Sequence, residues 1–264
     1  MAKILVMTDL HITPEGETII GLDPGARLSA GLAHAARIHP DAERIVLMGD
    51  LTHHGSAQEY ARLKPLLADL LWPVTLMIGN HDTRTEFRAA FPDAPTDADG
   101  FVQSAIDLGD IRLICLDTHE TAPAVEHAGH LCPTRLAWLV RELEADTKPC
   151  LVFLHHPPFD TGFSGMDHIG LMNAAELRGV LTAYPQVKHV FAGHIHRTIT
   201  ASVDGLPITV FKSPCHQMPM ILGQEGSGHS VDEPGAYGII LTNGDRVVVH
   251  FEDFTLPAQD VSHY

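Results

Sequence analysis

Seven side chains able to ligate a metal ion follow short apolar runs: Asp9 with His11, then Asp50, Asn80, His155, and His194 with His196. Imidazole, carboxylate and an amide oxygen without thiolate suit Zn, Fe, Mn or Co, and disfavour Cu(I) or a structural Cys-rich zinc site. Seven ligands are too many for one ion of ordinary coordination. A carboxylate shared between two ions resolves the excess, and Asp50 is the natural bridge because it stands alone at its strand end. Two adjacent cations form a hydrolytic device, since together they lower the pKa of a water and clamp the oxygens of the bond under attack.

The elements that must position these residues alternate along the chain. Ile4–Thr8, Arg44–Met48, Val74–Ile78, Ile111–Leu116, Cys150–Leu154 and Lys188–Ala192 read as strands, mostly continuous apolar runs of the kind buried on both faces. Ala26–Ile38, Ala57–Leu71, Pro133–Ala145 and Asn173–Tyr184 read as helices; in the third, Leu136, Leu139, Val140 and Leu143 form one buried stripe. Thr83 and Glu86 fit a capping box, which predicts a short helix directly after Asp82. In an open α/β sheet the strand C-termini share one edge, so ligands far apart in sequence converge there. The two-residue spacing of Asp9 with His11, and of His194 with His196, points each pair to one side if the backbone is extended. Gly49, Gly79 and Gly193, each just before a ligand, permit unusual dihedrals or close approach.

After residue 206 the chain changes character, with strand-like runs at Ile208–Phe211, Tyr237–Leu241 and Arg246–Phe251, the last two joined by an Asn243-Gly244 hairpin signal. Residues 1–206 read as the catalytic core and 207–264 as a strand-rich part that completes the second sheet or makes a dimer contact, within a single domain overall. Gly223–Gly235 reads as a mobile surface loop.

Composition narrows the partners. With 17 Lys and Arg against 33 Asp and Glu, the formal charge of -16 repels a nucleic-acid polymer from most of the surface. A small anion is still admissible where bound cations reverse the local field. No apolar run approaches the roughly 20 residues of a membrane span, so no membrane partner is expected. Met1-Ala2-Lys3 leads straight into a strand without a secretory pattern, which makes a cytoplasmic location the default. Cys115, Cys132, Cys150 and Cys215 form no Cys-x-x-Cys pair and read as reduced.

Taken in order, Asp9-Leu10-His11, Gly49-Asp50, Gly79-Asn80-His81-Asp82, His155-His156-Pro157-Pro158 and Gly193-His194-Ile195-His196 resemble the full signature of the calcineurin-like metallophosphoesterases. Length, the Asn80 block and the His-His-Pro-Pro block most resemble bacterial class III cyclic-nucleotide phosphodiesterases and the glycerophosphodiesterases close to them. The resemblance implies an α/β fold of four layers, two mixed sheets flanked by helices. It implies two metal ions (Fe, Mn or Zn), one held by Asp9, His11, Asp50 and His196, the other by Asp50, Asn80, His155 and His194. It further implies a small phosphodiester substrate, cyclic nucleotide first and glycerophosphodiester second, opened by in-line attack of a metal-bound hydroxide. A phosphomonoesterase or dinucleotide polyphosphate hydrolase is the rival within enzymes. A homodimer through the tail is compatible with it.

His81, beside ligand Asn80, is placed to steady transition-state charge or protonate the leaving alkoxide, with Asp82 either orienting that imidazole or capping the next helix. Asn80, His81 and His216 are the expected substrate contacts; Ser213-Pro214-Cys215-His216-Gln217 resembles a substrate-contacting segment of related phosphodiesterases, although those carry Gly near the Cys215 position. His155 and His156 compete for one place, and the family pattern selects the first. The remaining histidines get plainer readings. His53 and His54 read first as facing solvent and second as brushing the pocket, and His168 first as sitting in a capping loop and second as lining the substrate pocket. His34, His39, His127, His130, His229, His250 and His263 are surface or core residues.

Overall fold

The structure, a computed structural model, describes residues 1–257; residues 258–264, and with them His263, lie outside the described residues. The strands are β1 (Ala2–Met7), β2 (Arg44–Met48), β3 (Val74–Met77), β4 (Ser104–Asp107), β5 (Arg112–Cys115), β6 (Cys150–Phe153), β7 (Val187–Ala192), β8 (Ile199–Val203), β9 (Leu206–Val210), β10 (Tyr237–Thr242) and β11 (Val247–Glu252). The helices are α1 (Pro24–Ile38), α2 (Ala57–Leu66), α3 (Arg84–Ala90), α4 (Pro133–Ala145), α5 (Ser164–Asp167) and α6 (Ala174–Thr182). One sheet runs β11-β10-β1-β2-β3 and the other β4-β5-β6-β7-β9-β8.

Alternation along the strands builds four layers. In β1, Ile4 and Val6 join Val46, Met48, Leu151, Phe153 and Phe191 in the apolar filling between the sheets. Leu5 and Met7 turn the other way, onto Leu28 and Leu32 of α1 and Leu63 of α2. Val152 and Val190 of the second sheet likewise meet Leu136, Leu139 and Leu143 of α4 with Leu177 and Leu181 of α6. Both faces of the central strands are therefore buried, which is why they read as unbroken apolar runs.

Several expectations are revised. Helix α2 ends at Leu66, where the chain tightens to i→i−3 bonds, Leu67 N–H to the Lys64 carbonyl (3.2 Å) and Ala68 N–H to that of Pro65 (3.4 Å). Thr83 forms no capping box: its hydroxyl donates to the Gly55 carbonyl, while the box that does form uses Ser56 and Glu59 at the start of α2. The tail does not complete the second sheet alone. Strand β9 enters that sheet beside β7, but the β10–β11 hairpin pairs antiparallel with β1, with Ala2 opposite Thr242 and Val6 opposite Gly238. Two strands, β4 and β8, go beyond the sequence reading; both are short sheet edges, and an edge buries too little for a strong apolar signal. Among the described residues no helix is long and apolar enough to cross a membrane.

A buried charge network fixes the loop after β5. Arg135 of α4 donates to the carbonyls of Asp117 (2.7 Å) and His119 (2.8 Å) and packs over the Phe101 ring at 4.7 Å. Arg84 grips the Asp117 carboxylate through two bonds of 3.0 Å. Arg135→Met should cost about 3–5 kcal/mol, because it strands two carbonyls and half of a buried ion pair. The fall is read from urea unfolding, and a loss under about 1 kcal/mol would show that Arg84 holds the loop unaided.

Candidate metal centre

The C-terminal ends of β1, β2 and β3 meet those of β6 and β7 at one rim. Backbone pairing runs past the strands: Asp9 N–H donates to the Gly49 carbonyl (3.0 Å), His11 N–H to that of Asp50 (2.9 Å) and Gly193 N–H to that of His155 (3.0 Å). All seven expected ligands lie at this rim. Five of them, Asp9, His11, Asp50, His194 and His196, have φ between 47° and 71°. The paired ligands therefore converge through left-handed backbone, and not through the extended alternation that their spacing suggested. Such dihedrals are costly outside glycine and cluster where the surroundings over-determine them. Close approach supplies part of that constraint: a Cβ on Gly79 would stand 2.3 Å from Asp50 Oδ1.

Two buried carboxylates form the centre. Asp50 Oδ2 lies 3.6 Å from His11 Nε2 and 3.2 Å from His155 Nε2, while Asp9 Oδ1 lies 3.8 Å from His155 Nε2 and 3.4 Å from His196 Nε2. Donor atoms of Asp9, His11 and Asp50 fall within 4.8 Å of one another, as do those of Asp50, His155 and His194. Asp50 is common to both groups.

The far sides of the rings are anchored, which leaves the near sides free. His155 Nδ1 donates to the Met48 carbonyl (3.0 Å) and His196 Nδ1 to that of His216 (2.9 Å), so each Nε2 faces the carboxylates. Ligating histidines are oriented in this way by partners on their other nitrogen. His156 differs, since Thr118 (2.8 Å) and the His127 carbonyl (3.1 Å) occupy both its nitrogens. His155 Nε2, His194 Nε2 and Asn80 Oδ1 are buried without a hydrogen-bond partner. Unpaired buried polar atoms are rare and costly, and three of them beside the cleft of the buried Asp50 carboxylate fit a metal pair.

Charge agrees with this. Burial pushes the His11 and His194 imidazoles well below their usual range, and neighbouring imidazoles add to the shift, so both are held in the neutral form that ligates. For His155 burial also opposes charge, but the Asp50 and Asp9 carboxylates outweigh it and raise the ring to about 9. Burial works against the Asp50 anion too, yet the surrounding imidazoles, His155 first, hold its carboxyl well below the ordinary range.

Two roles differ from expectation. Asp82 neither orients His81 nor caps α3. Its buried carboxylate accepts from the N–H groups of Leu51 (3.0 Å), Thr52 (3.2 Å) and Gly79 (2.9 Å) and from the hydroxyls of Thr52 (2.9 Å) and Tyr60 (2.8 Å). It thereby clamps the Asp50 loop to the Asn80 loop. Burial, with the Asp50 charge behind it, lifts its pKa to about 6 despite those donors. His81 is held instead by its backbone N–H on Asp50 Oδ1 (2.8 Å) and its Nδ1–H on the His53 carbonyl (2.8 Å).

His53 and His127, read from sequence as a solvent-facing and a surface or core residue, both line the cleft and stack on the two faces of His81, at 5.4 and 5.0 Å between ring centres. His127 also stands 3.2 Å from Asn80 Nδ2, where it accepts from the amide and leaves Oδ1 free to ligate. No spacing signal in the sequence joins His127 to Asn80. His216 lies against His196 (4.6 Å) and His11 (5.3 Å) with Nδ1 buried and unpartnered, whereas His168 is exposed and outside the cleft lining.

Residues 2–198 match the calcineurin-like phosphoesterase family model. A Rhodopseudomonas palustris protein named as a probable cyclic nucleotide phosphodiesterase is 40% identical over 252 residues, 94% of this chain and 91% of its own length. A glycerophosphodiester phosphodiesterase of Enterobacter lignolyticus is 31% identical over 225 residues, 80% of this chain and 79% of its own. Among solved structures, a dimetal phosphatase from Danio rerio shares the fold, with a TM-score of 0.72 over 95% of both chains at 14% identity.

The Asp82 clamp is testable without any assay of turnover. Asp82→Asn keeps the shape but puts an amide NH2 donor among groups that all donate to Asp82, so metal affinity should fall about 10–100-fold. Equilibrium dialysis with Mn or Zn measures this; wild-type affinity in the variant would show that the clamp does not hold the ligands.

Proposed function

The chain belongs to the calcineurin-like phosphoesterase family, and we propose that it hydrolyses small phosphodiesters at a pair of metal ions, with a cyclic nucleotide as preferred substrate and a nucleoside monophosphate as product. The observation that carries this reading is the gathering of ligand atoms of Asp50, His155 and His194 within 4.8 Å of one another, with His155 Nε2, His194 Nε2 and, on the same cleft, Asn80 Oδ1 buried and unpartnered. Asp9, His11, Asp50 and His196 would hold one ion, and Asp50, Asn80, His155 and His194 the other. When bound, the pair supplies water activation and charge neutralisation at the phosphoryl oxygens.

The chain's own residues do the rest. Because His81 Nδ1 is committed as a donor to the His53 carbonyl, its Nε2 is the nitrogen left to meet the phosphoryl group or the departing oxygen. The His53 and His127 rings, both stacked on that imidazole, restrict its movement. His216, on the same cleft, is the second candidate contact to a phosphoryl oxygen. Positioning of this kind lowers a barrier by removing the need to order the groups during reaction.

The cyclic-nucleotide reading follows the relative similar over 94% of this chain; a glycerophosphodiester is the second reading, favoured by the E. lignolyticus relative. With Mn, Fe or Zn added, the protein should cleave bis-para-nitrophenyl phosphate faster than the mono ester, and 3′,5′-cyclic AMP faster than glycerophosphoethanolamine. A chelator should abolish both activities, and His81→Ala should lower kcat about a hundredfold or more. A clear preference for the monoester would overturn the diesterase assignment.

A further inference from the structure

The cleft above the metal centre, about 810 Å³ counted out to its open mouth, has two kinds of wall. Its floor is the histidine and carboxylate cluster. Facing it are Ile19, Met166, Ile169 and Met218, with Ser227, Gly228, His229 and Ser230 along the rim. A phosphodiester group makes no use of four apolar side chains. Whatever the diester carries does.

This wall is built and not incidental. The rim belongs to the glycine-rich segment that its composition marks as a mobile surface loop, yet the segment is fastened across the cleft. Gly165 N–H donates to the Gln224 carbonyl (3.3 Å), Gly223 N–H to that of Gly162 (2.8 Å), and Gln217 and Val231 exchange bonds of 3.0 and 2.9 Å. Where α5 meets it there is no room for a side chain, since a Cβ on Gly165 would stand 2.1 Å from the Gly226 carbonyl oxygen. On the other side, Ile19 and Leu22 exchange bonds of 2.9 and 2.8 Å across a tight turn whose central residues, Ile20 and Gly21, have φ of 48° and 86°. A β-branched residue held in the left-handed region is a strained outlier, and that turn is what brings Ile19 into the cleft.

We infer that Ile19, Met166, Ile169 and Met218 seat the base of a nucleotide, and that Ser227, His229 and Ser230 meet its polar edge, so this wall selects cyclic nucleotides over diesters that lack an aromatic group. The inference rests on the diesterase reading and names its substrate class. Thioether sulfur packs well on aromatic rings and adapts to their outline. Hydroxyl and imidazole groups can each donate or accept at a base edge. The polar headgroup of a glycerophosphodiester would instead leave the apolar wall uncovered.

Ile169 and Ile19 are only partly buried, which makes them the residues to change. With the metal-loaded full chain, Ile169→Asn and, separately, Ile19→Asn should lower the ratio of kcat/KM for 3′,5′-cyclic AMP to that for glycerophosphoethanolamine about tenfold, with the loss in KM. Isothermal titration with adenosine 5′-monophosphate should show affinity weakened about tenfold in each variant. An unmoved ratio with unmoved affinity in both variants overturns the inference. The wild-type rate on bis-para-nitrophenyl phosphate separates the two failures. Diester cleavage with an unmoved ratio sinks the wall and spares the diesterase reading; no diester cleavage sinks that reading, and nucleotide titration still decides the wall.

Discussion

Asp9 and Asp50 are buried side by side at the rim where the two sheets meet, and among the described residues neither has a lysine or arginine within ion-pair distance. Taking a carboxylate out of water costs several kcal/mol unless charge and hydrogen bonds offset it. Backbone donors offset a part: His194 N–H reaches Asp9 at 3.0 Å and His81 N–H reaches Asp50 at 2.8 Å. The His155 ring adds to the offset, whereas His11 and His194 do so less because burial opposes their charge. A pair of cations bound between them would meet the remaining demand. The buried carboxylates together with the neutral His11 and His194 rings form a donor set that suits cations.

That donor set explains the backbone. Donor atoms from five strand ends can reach one point only if the chain turns sharply as each strand stops, and the left-handed residues Asp9, His11, Asp50, His194 and His196 make those turns. Such conformations persist when neighbours leave no alternative. Here the neighbours are hydrogen bonds that continue the sheet ladder beyond the strands, together with Asp82, whose five accepted bonds tie the second and third strand ends together. Asp82 is thus a structural clamp, its carboxylate anchoring backbone N–H groups of both loops.

The central strands were legible as doubly buried apolar runs, and the seven candidate ligand positions stood out because a polar residue directly after such a run is anomalous. Asp82 and His127 were not legible in the same way. Their partners are set by loops that approach across 31 and 47 residues of sequence, and no local period encodes that approach. His53 was hidden for a related reason, since its place on the His81 ring follows from the turn after Asp50 and not from its own type. The edge strands β4 and β8 were lost because half-exposed residues give no strong pattern, and the split of the tail between both sheets depends on the free edge of β1, which sequence does not display.

Floor and wall of the cleft overlap in where they are encoded: Ile19, Met166 and Ile169 share residues 2–198 with the candidate ligands, and the rest of the wall lies outside. Every candidate ligand lies within residues 2–198, the stretch that matches the family. Met218 and the Ser227–Ser230 rim lie beyond that stretch, in a segment whose contacts are largely backbone to backbone and whose glycines permit close packing on α5. A loop fastened through its backbone can exchange side chains at little cost to the fold, whereas a change on the floor unbalances buried charge. Selectivity therefore has room to vary on the wall while the chemistry below stays fixed.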